Sequence, residues 1–216
     1  MANREAVIRD IIEKKIIVIM RGFSRDELIG AVEAMHKGGI GLVEVTFDQS
    51  GIVSDEETAA NIKALRDSFD GRVRIGAGTV MTVRQVELAF AAGAEFIISP
   101  DSFEDVIRKT RELSMVSIPG VFTPTEAAMA HRMGADFAKL FPNSEVNVSY
   151  LKALAVPLSH IKFLAVGGVN ANNLKEYLAA GASGFGVATA IADKAAIKSG
   201  NFDEITRRAL LFTEQL

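Results

Sequence analysis

The sequence has no cysteine among its 216 residues. A disulfide scaffold, a thiolate zinc site and a thiol nucleophile are therefore excluded, and the composition suits a reducing compartment. Histidine is scarce: His36, His131 and His160 fall in two helical stretches and near the start of a strand, too scattered to form a ligand set, so no metal is expected. Neither sign of charge dominates, with 24 Lys and Arg against 27 Asp and Glu, a net charge of -3 and no basic block. Nothing points to nucleic acid or an anionic membrane as a partner, and a small-molecule partner is expected. No apolar run reaches membrane-spanning length, and Met1-Ala2-Asn3-Arg4-Glu5 lacks the charged-then-apolar plan of a signal peptide. A soluble, cytoplasmic protein is the expectation.

What the chain does have is alternation. With 49% hydrophobic residues and no low-complexity tract, it can bury a large core, and a single domain over residues 1–216 is expected, opened by a short helix at about 3–13. Eight apolar strand-like runs, at 15–20, 41–47, 73–78, 95–99, 115–119, 136–141, 161–166 and 183–187, are each followed by a helical pattern. Helix starts carry capping signals: Ser24 with Glu27, Ser54 with Glu57, Thr82 with Gln85, and Thr123 with Glu126, the last with Pro124 at the first helical position. Gly39, Gly93, Gly134 and Gly181 each stop a helix just before the second, fourth, sixth and eighth strands. Two βα units repeated four times predict a closed (β/α)8 barrel, a TIM barrel. Alternation alone leaves an open doubly wound sheet as the other possibility.

The stretch Asp136-Phe137-Ala138-Lys139-Leu140-Phe141-Pro142 is the most unusual in the chain. Alternation puts Phe137, Lys139 and Phe141 on one face, so a lysine stands between two phenylalanines. An amine taken out of water tends to lose its proton, and a neutral amine attacks carbonyl carbons to form Schiff bases. The duller reading is a strand lysine that reaches the rim or pairs with a carboxylate. In a barrel of this kind the chemistry lies at the C-terminal strand ends. Arg21 after strand one, Glu44 and Thr46 on one face of strand two, Thr79 after Gly76-Ala77-Gly78, and Pro100 after strand four all fall there with Lys139. Arg21 suits a substrate carboxylate, and Glu44 fits equally as the ion-pair partner of Lys139 or as an acid/base. After strands seven and eight come Gly167-Gly168 and Gly186-Val187-Ala188-Thr189, where glycines let bare backbone N–H groups approach a phosphate; two tight turns would read the same way.

Taken together, Ile19-Met20-Arg21-Gly22, Val43-Glu44-Val45-Thr46-Phe47, Gly76-Ala77-Gly78-Thr79-Val80, Ile98-Ser99-Pro100, Pro119-Gly120-Val121-Phe122-Thr123-Pro124-Thr125-Glu126, Lys139-Leu140-Phe141-Pro142 and Gly167-Gly168-Val169 resemble, in order and spacing, the 2-keto-3-deoxy-6-phosphogluconate (KDPG) and 4-hydroxy-2-oxoglutarate (KHG) aldolases. These are small Schiff-base aldolases on a (β/α)8 barrel. The resemblance implies a cofactor-free retro-aldol cleavage of a keto-acid substrate to pyruvate and an aldehyde. It gives the Schiff base to Lys139 and acid/base work to Glu44, the pyruvate carboxylate to Arg21 and Thr79, pocket shape to Pro100 and Phe141, and the phosphate to Gly167, Gly168, Gly186 and Thr189. It also implies a homotrimer. The chain departs from the family pattern at Asp48, where some members have arginine, and at Ala188, where many have glycine. Ala165-Val166 precedes Gly-Gly as in galacto-sugar relatives, and the Gly-Pro often found after Pro142 is missing. A phosphosugar isomerase or transferase on the same barrel, and a non-catalytic phosphosugar-binding barrel, stay open as other readings.

Overall fold

The computed structural model describes residues 3–216. Nine short strands alternate with helices along the chain: α1 Arg4–Lys14, β1 Ile16–Met20, α2 Arg25–Lys37, β2 Leu42–Thr46, α3 Asp55–Phe69, β3 Arg74–Gly78, α4 Val83–Ala91, β4 Phe96–Ile98, α5 Glu104–Glu112, β5 Val116–Ile118, β6 Gly120–Val121, α6 Pro124–Arg132, β7 Ala138–Leu140, α7 Val148–Ala155, β8 Phe163–Val166, α8 Leu174–Ala179, β9 Ala182–Val187, α9 Lys194–Lys198 and α10 Phe202–Thr213. All pairings are parallel, and the sheet order is β5-β4-β3-β2-β1-β9-β8-β7-β6.

The two ends of that order are one strand. Pro119 separates β5 from β6, so the fifth strand is longer than its apolar run and changes partner at the proline. Below it, β5 pairs with β4; above it, Gly120 and Val121 pair with Lys139 and Leu140 of β7. Pro119 has no N–H for the ladder, but its carbonyl accepts from the Lys139 N–H at 2.9 Å. Gly120 is held there by space, since a Cβ on it would lie 2.1 Å from the Pro100 carbonyl oxygen. The sheet thereby comes round on itself as a TIM-type barrel, and the open-sheet alternative is ruled out.

Local signals act as expected at the helix ends. Thr82 and Thr123 accept from the N–H groups of Gln85 and Glu126, and Glu27 and Glu126 reach back to Ser24 and Thr123. Gly39, Gly93, Gly134 and Gly181 have φ of 88°, 87°, 101° and 106°, the left-handed conformation that glycine adopts without a Cβ penalty.

Two apolar layers follow from strand alternation. Ala138 and Leu140 face outward into the shell between strands and helices, whereas Phe137 points into the barrel with Ile17, Leu42, Phe96, Val116 and Leu164. Val7 and Ile11 of α1 belong to that interior cluster, so α1 plugs the N-terminal end of the barrel. Ion pairs pin it: Arg4 to the buried Asp136, and Asp10 to Arg74 at 2.7 Å, with Arg74 also 3.3 Å from the buried Glu95. The apolar filling ends below Lys139, leaving the C-terminal mouth to polar side chains.

Candidate active site

A cavity of about 790 Å³ opens at that mouth. The ten residues to which the resemblance gives roles, Arg21, Glu44, Thr79, Pro100, Lys139, Phe141, Gly167, Gly168, Gly186 and Thr189, all line it, together with Ile19, Val166 and Ala188. Thr46 does not; it is buried, and its hydroxyl donates to the Met20 carbonyl at 3.3 Å.

Lys139 is 7% exposed and its amine lies 4.6 Å from the centroid of the Phe141 ring. Burial is the main force on it and pushes its pKa below the ordinary lysine value; Glu44 opposes this and the Arg21 guanidinium adds to it. Glu44, 1% exposed, is pushed the other way, upward, chiefly by burial and against the pull of Lys139 and Arg21. Among the described residues Glu44 forms no ion pair within 4.0 Å, so the direct ion-pair reading of Glu44 with Lys139 is not what the geometry gives. Its Oε2 is buried and has no hydrogen-bond partner among the described residues. A buried carboxyl group with a free oxygen is equipped to give and take protons.

Room for that carboxylate is made by a glycine. A Cβ on Gly78 would lie 1.5 Å from Glu44 Oε1, and one on Gly76 would lie 2.1 Å from the Phe96 ring. Both glycines occupy inward positions of β3. Only the register of β3 against β2, which pairs Gly78 with Thr46 and Gly76 with Glu44, reveals what they clear.

Arg21 donates to the Thr79 hydroxyl at 2.8 Å. Thr79 has φ of 54°, an uncommon conformation for a β-branched residue and one that concentrates at functional sites. Gln49 supports it by donating to its carbonyl at 2.9 Å. Asp48, the departure from arginine, is turned away into a neighbouring groove. Its carboxylate accepts from the N–H groups of Ser50, Ile52 and Val53 and from the Ser50 hydroxyl, which lowers its pKa to about 2. It organises the loop after β2.

Across the cavity, Gly167 and Gly168 have φ of 106° and 71°. The N–H groups of Gly168, Thr189 and Ala190 have no acceptor among the described residues. Residues 188–192 form one tight turn, with Ile191 and Ala192 donating to the Ala188 carbonyl at 3.0 and 2.8 Å. The first turn of α9 does not face the cavity; Asp193 caps it by accepting from Ala196 at 2.9 Å. The cavity is therefore lined by the turn after β9 and not by the helix that follows. The histidines lie elsewhere, His131 and His160 packing edge to face at 4.9 Å.

Known proteins resemble this chain in sequence and fold. The chain is 35% identical to the 2-dehydro-3-deoxy-6-phosphogalactonate aldolase of Escherichia coli K12 over 173 residues, 80% of this chain and 82% of the relative. It is 30% identical to the 2-dehydro-3-deoxy-phosphogluconate aldolase of Haemophilus influenzae over 210 residues, 94% of this chain and 93% of the relative. A KDPG aldolase from Legionella pneumophila, solved with pyruvate captured at low pH as a covalent carbinolamine intermediate, superposes with a TM-score of 0.81 at 29% identity, covering 91% of this chain and 92% of that one. The family model for KDPG and KHG aldolases matches residues 7–208, and the chain belongs to that family of pyruvate-forming, Schiff-base aldolases.

Proposed function

We propose that Lys139 is the Schiff-base residue and Glu44 the acid/base of a retro-aldol cleavage. The reading rests above all on a buried amine and a buried carboxyl with an unpartnered oxygen meeting in one cavity. The neutral Lys139 amine attacks the C2 ketone of a 2-keto-4-hydroxy acid whose carboxylate lies against Arg21 and Thr79. Glu44 in its acid form, which burial favours, gives a proton to the departing hydroxide of the carbinolamine, leaving a protonated imine. Glu44, now a carboxylate, or a water it holds, takes the C4 hydroxyl proton. The C3–C4 pair then moves into the imine as the aldehyde leaves. Protonation of the enamine at C3 and hydrolysis release pyruvate and restore Lys139. The imine is itself the electron sink, so the scheme needs no cofactor.

Pro100 and Phe141 shape the pocket in this reading, and the Gly167-Gly168 loop and the Gly186-to-Thr189 turn receive a 6-phosphate on unpaired N–H groups. Val166 supports the galacto epimer of 2-keto-3-deoxy-6-phosphogluconate as the preferred substrate. It presents methyl groups to the cavity where gluco-sugar relatives often carry a hydroxyl. Glyceraldehyde 3-phosphate would then be the aldehyde, with glyoxylate from 4-hydroxy-2-oxoglutarate as the unphosphorylated counterpart. A homotrimer working in the cytoplasm belongs to the same reading, on family resemblance, and sedimentation tests the assembly. The chemistry is tested by incubating the protein with pyruvate, reducing with borohydride and locating the added mass by peptide mass spectrometry. An adduct on Lys139 is expected; a folded protein with none would end the proposal.

A further inference from the structure

The segment that follows β7 and the glycine loop that follows β8 pack backbone against backbone. A Cβ on Gly167 would lie 3.2 Å from Ser144 N and 3.3 Å from Asn143 N, and one on Gly168 would lie 3.2 Å from Ser144 Cα. Asn143 bridges the two segments and is wholly buried. Its Nδ2 donates to the Gly167 carbonyl at 2.9 Å and to the Tyr177 hydroxyl, on α8, at 2.7 Å. A carbonyl can only accept, so the amide nitrogen must be the atom that faces Gly167. Its Oδ1 has no partner among the described residues, a cost that a side chain serving only to fill space would avoid.

The Gly167 C=O and the Gly168 N–H belong to one planar trans peptide and point in opposite directions. Pinning the carbonyl therefore aims the N–H, which lies in the cavity lining and has no acceptor among the described residues. The next peptide is held in the same way, since Asn173 donates to the Gly168 carbonyl at 3.0 Å. We propose that Asn143 is a positioning residue that presets the glycine loop for the substrate phosphate, with Tyr177 holding its amide. This rests on the reading that the loop binds the phosphate.

The test compares wild type with Asn143→Asp, which puts an acceptor against the Gly167 carbonyl, and with the milder Tyr177→Phe. Inhibition by inorganic phosphate, KM for the phosphorylated sugar acid, KM for 4-hydroxy-2-oxoglutarate and borohydride trapping of pyruvate on Lys139 are measured. Asn143→Asp is expected to weaken phosphate inhibition and raise KM for the phosphorylated substrate by about tenfold, the order given by one lost hydrogen bond. Trapping and KM for 4-hydroxy-2-oxoglutarate should stay within about twofold, and Tyr177→Phe should shift the same two quantities by less. A parallel loss in all four measurements, or none, would overturn the positioning role. Wild type that neither responds to phosphate nor prefers the phosphorylated substrate would overturn the phosphate reading, and the Asn143 proposal with it.

Discussion

Gly78→Ala should disable the enzyme without removing any functional group. The added Cβ would lie 1.5 Å from Glu44 Oε1, 2.2 Å from Cδ and 2.5 Å from Cγ, whereas an ordinary carbon contact needs roughly 3.5 Å. The carboxyl must move by about 2 Å, and a misplacement of even 1 Å can cost on the order of 10²-fold in rate. The backbone is no obstacle, because Gly78 is not among the positive-φ glycines. The expectation is a kcat lower by roughly 10²-fold with pyruvate still trapped on Lys139, at a stability cost of about 1–3 kcal/mol from overpacking. Gly76→Ala is the control: its Cβ would strike the Phe96 ring at 2.1 Å, overpacking the same strand with Phe96, not Glu44, as its nearest neighbour. Steady-state kinetics and thermal unfolding of both variants decide the matter. A folded Gly78→Ala enzyme with wild-type kcat, or an equal loss of kcat in Gly76→Ala, would refute an acid/base role for Glu44 from its present position.

Other outcomes follow from the same geometry. Because burial lowers the Lys139 pKa from 10.5, the neutral amine accumulates as pH rises through the depressed value. Schiff-base formation with pyruvate should therefore rise and level off well below the pH of a free lysine, and a midpoint at the ordinary lysine value would count against burial as the cause. Glu44→Gln should lower kcat by about 10²- to 10⁴-fold with little change in pyruvate affinity measured by titration; a change in affinity alone would remove the acid/base assignment. Val166→Thr should move the ratio of kcat/KM values toward the gluco epimer by about tenfold, the order of one gained hydrogen bond. An unchanged ratio would place epimer choice elsewhere in the cavity.

Much of the molecule was legible in the chain because the signals are local. Period-two alternation is a property of a strand alone, so the inward direction of Lys139 could be read without knowing what it faced. Helix caps at Thr82 and Thr123 and left-handed stops at Gly39, Gly93, Gly134 and Gly181 act within one turn, and each behaves as its residue type predicts. Strand order along the chain was enough to gather ten candidate residues on one mouth once closure was assumed. The repeat of βα units predicted closure but not how it is made, since that depends on the fifth strand changing partners at Pro119, a choice made by strands far apart in sequence. The meaning of Gly76 and Gly78 was hidden for the same reason. Glycine reads locally as a turn, and only sheet register discloses that its missing side chain houses Phe96 and Glu44. Asp48 read only as a departure from a pattern, and the stretch after Pro142 only as one without Gly-Pro, until the loops folded round Asp48 and Asn143. The sequence by itself determined the elements, their faces and the identity of the reactive groups, because propensity and periodicity act over a few residues. Burial of Lys139 and Glu44 in one cavity, the strained Thr79 beside Arg21 and the aim of the Gly168 N–H were decided only by the closed barrel, which brings together groups separated by tens of residues.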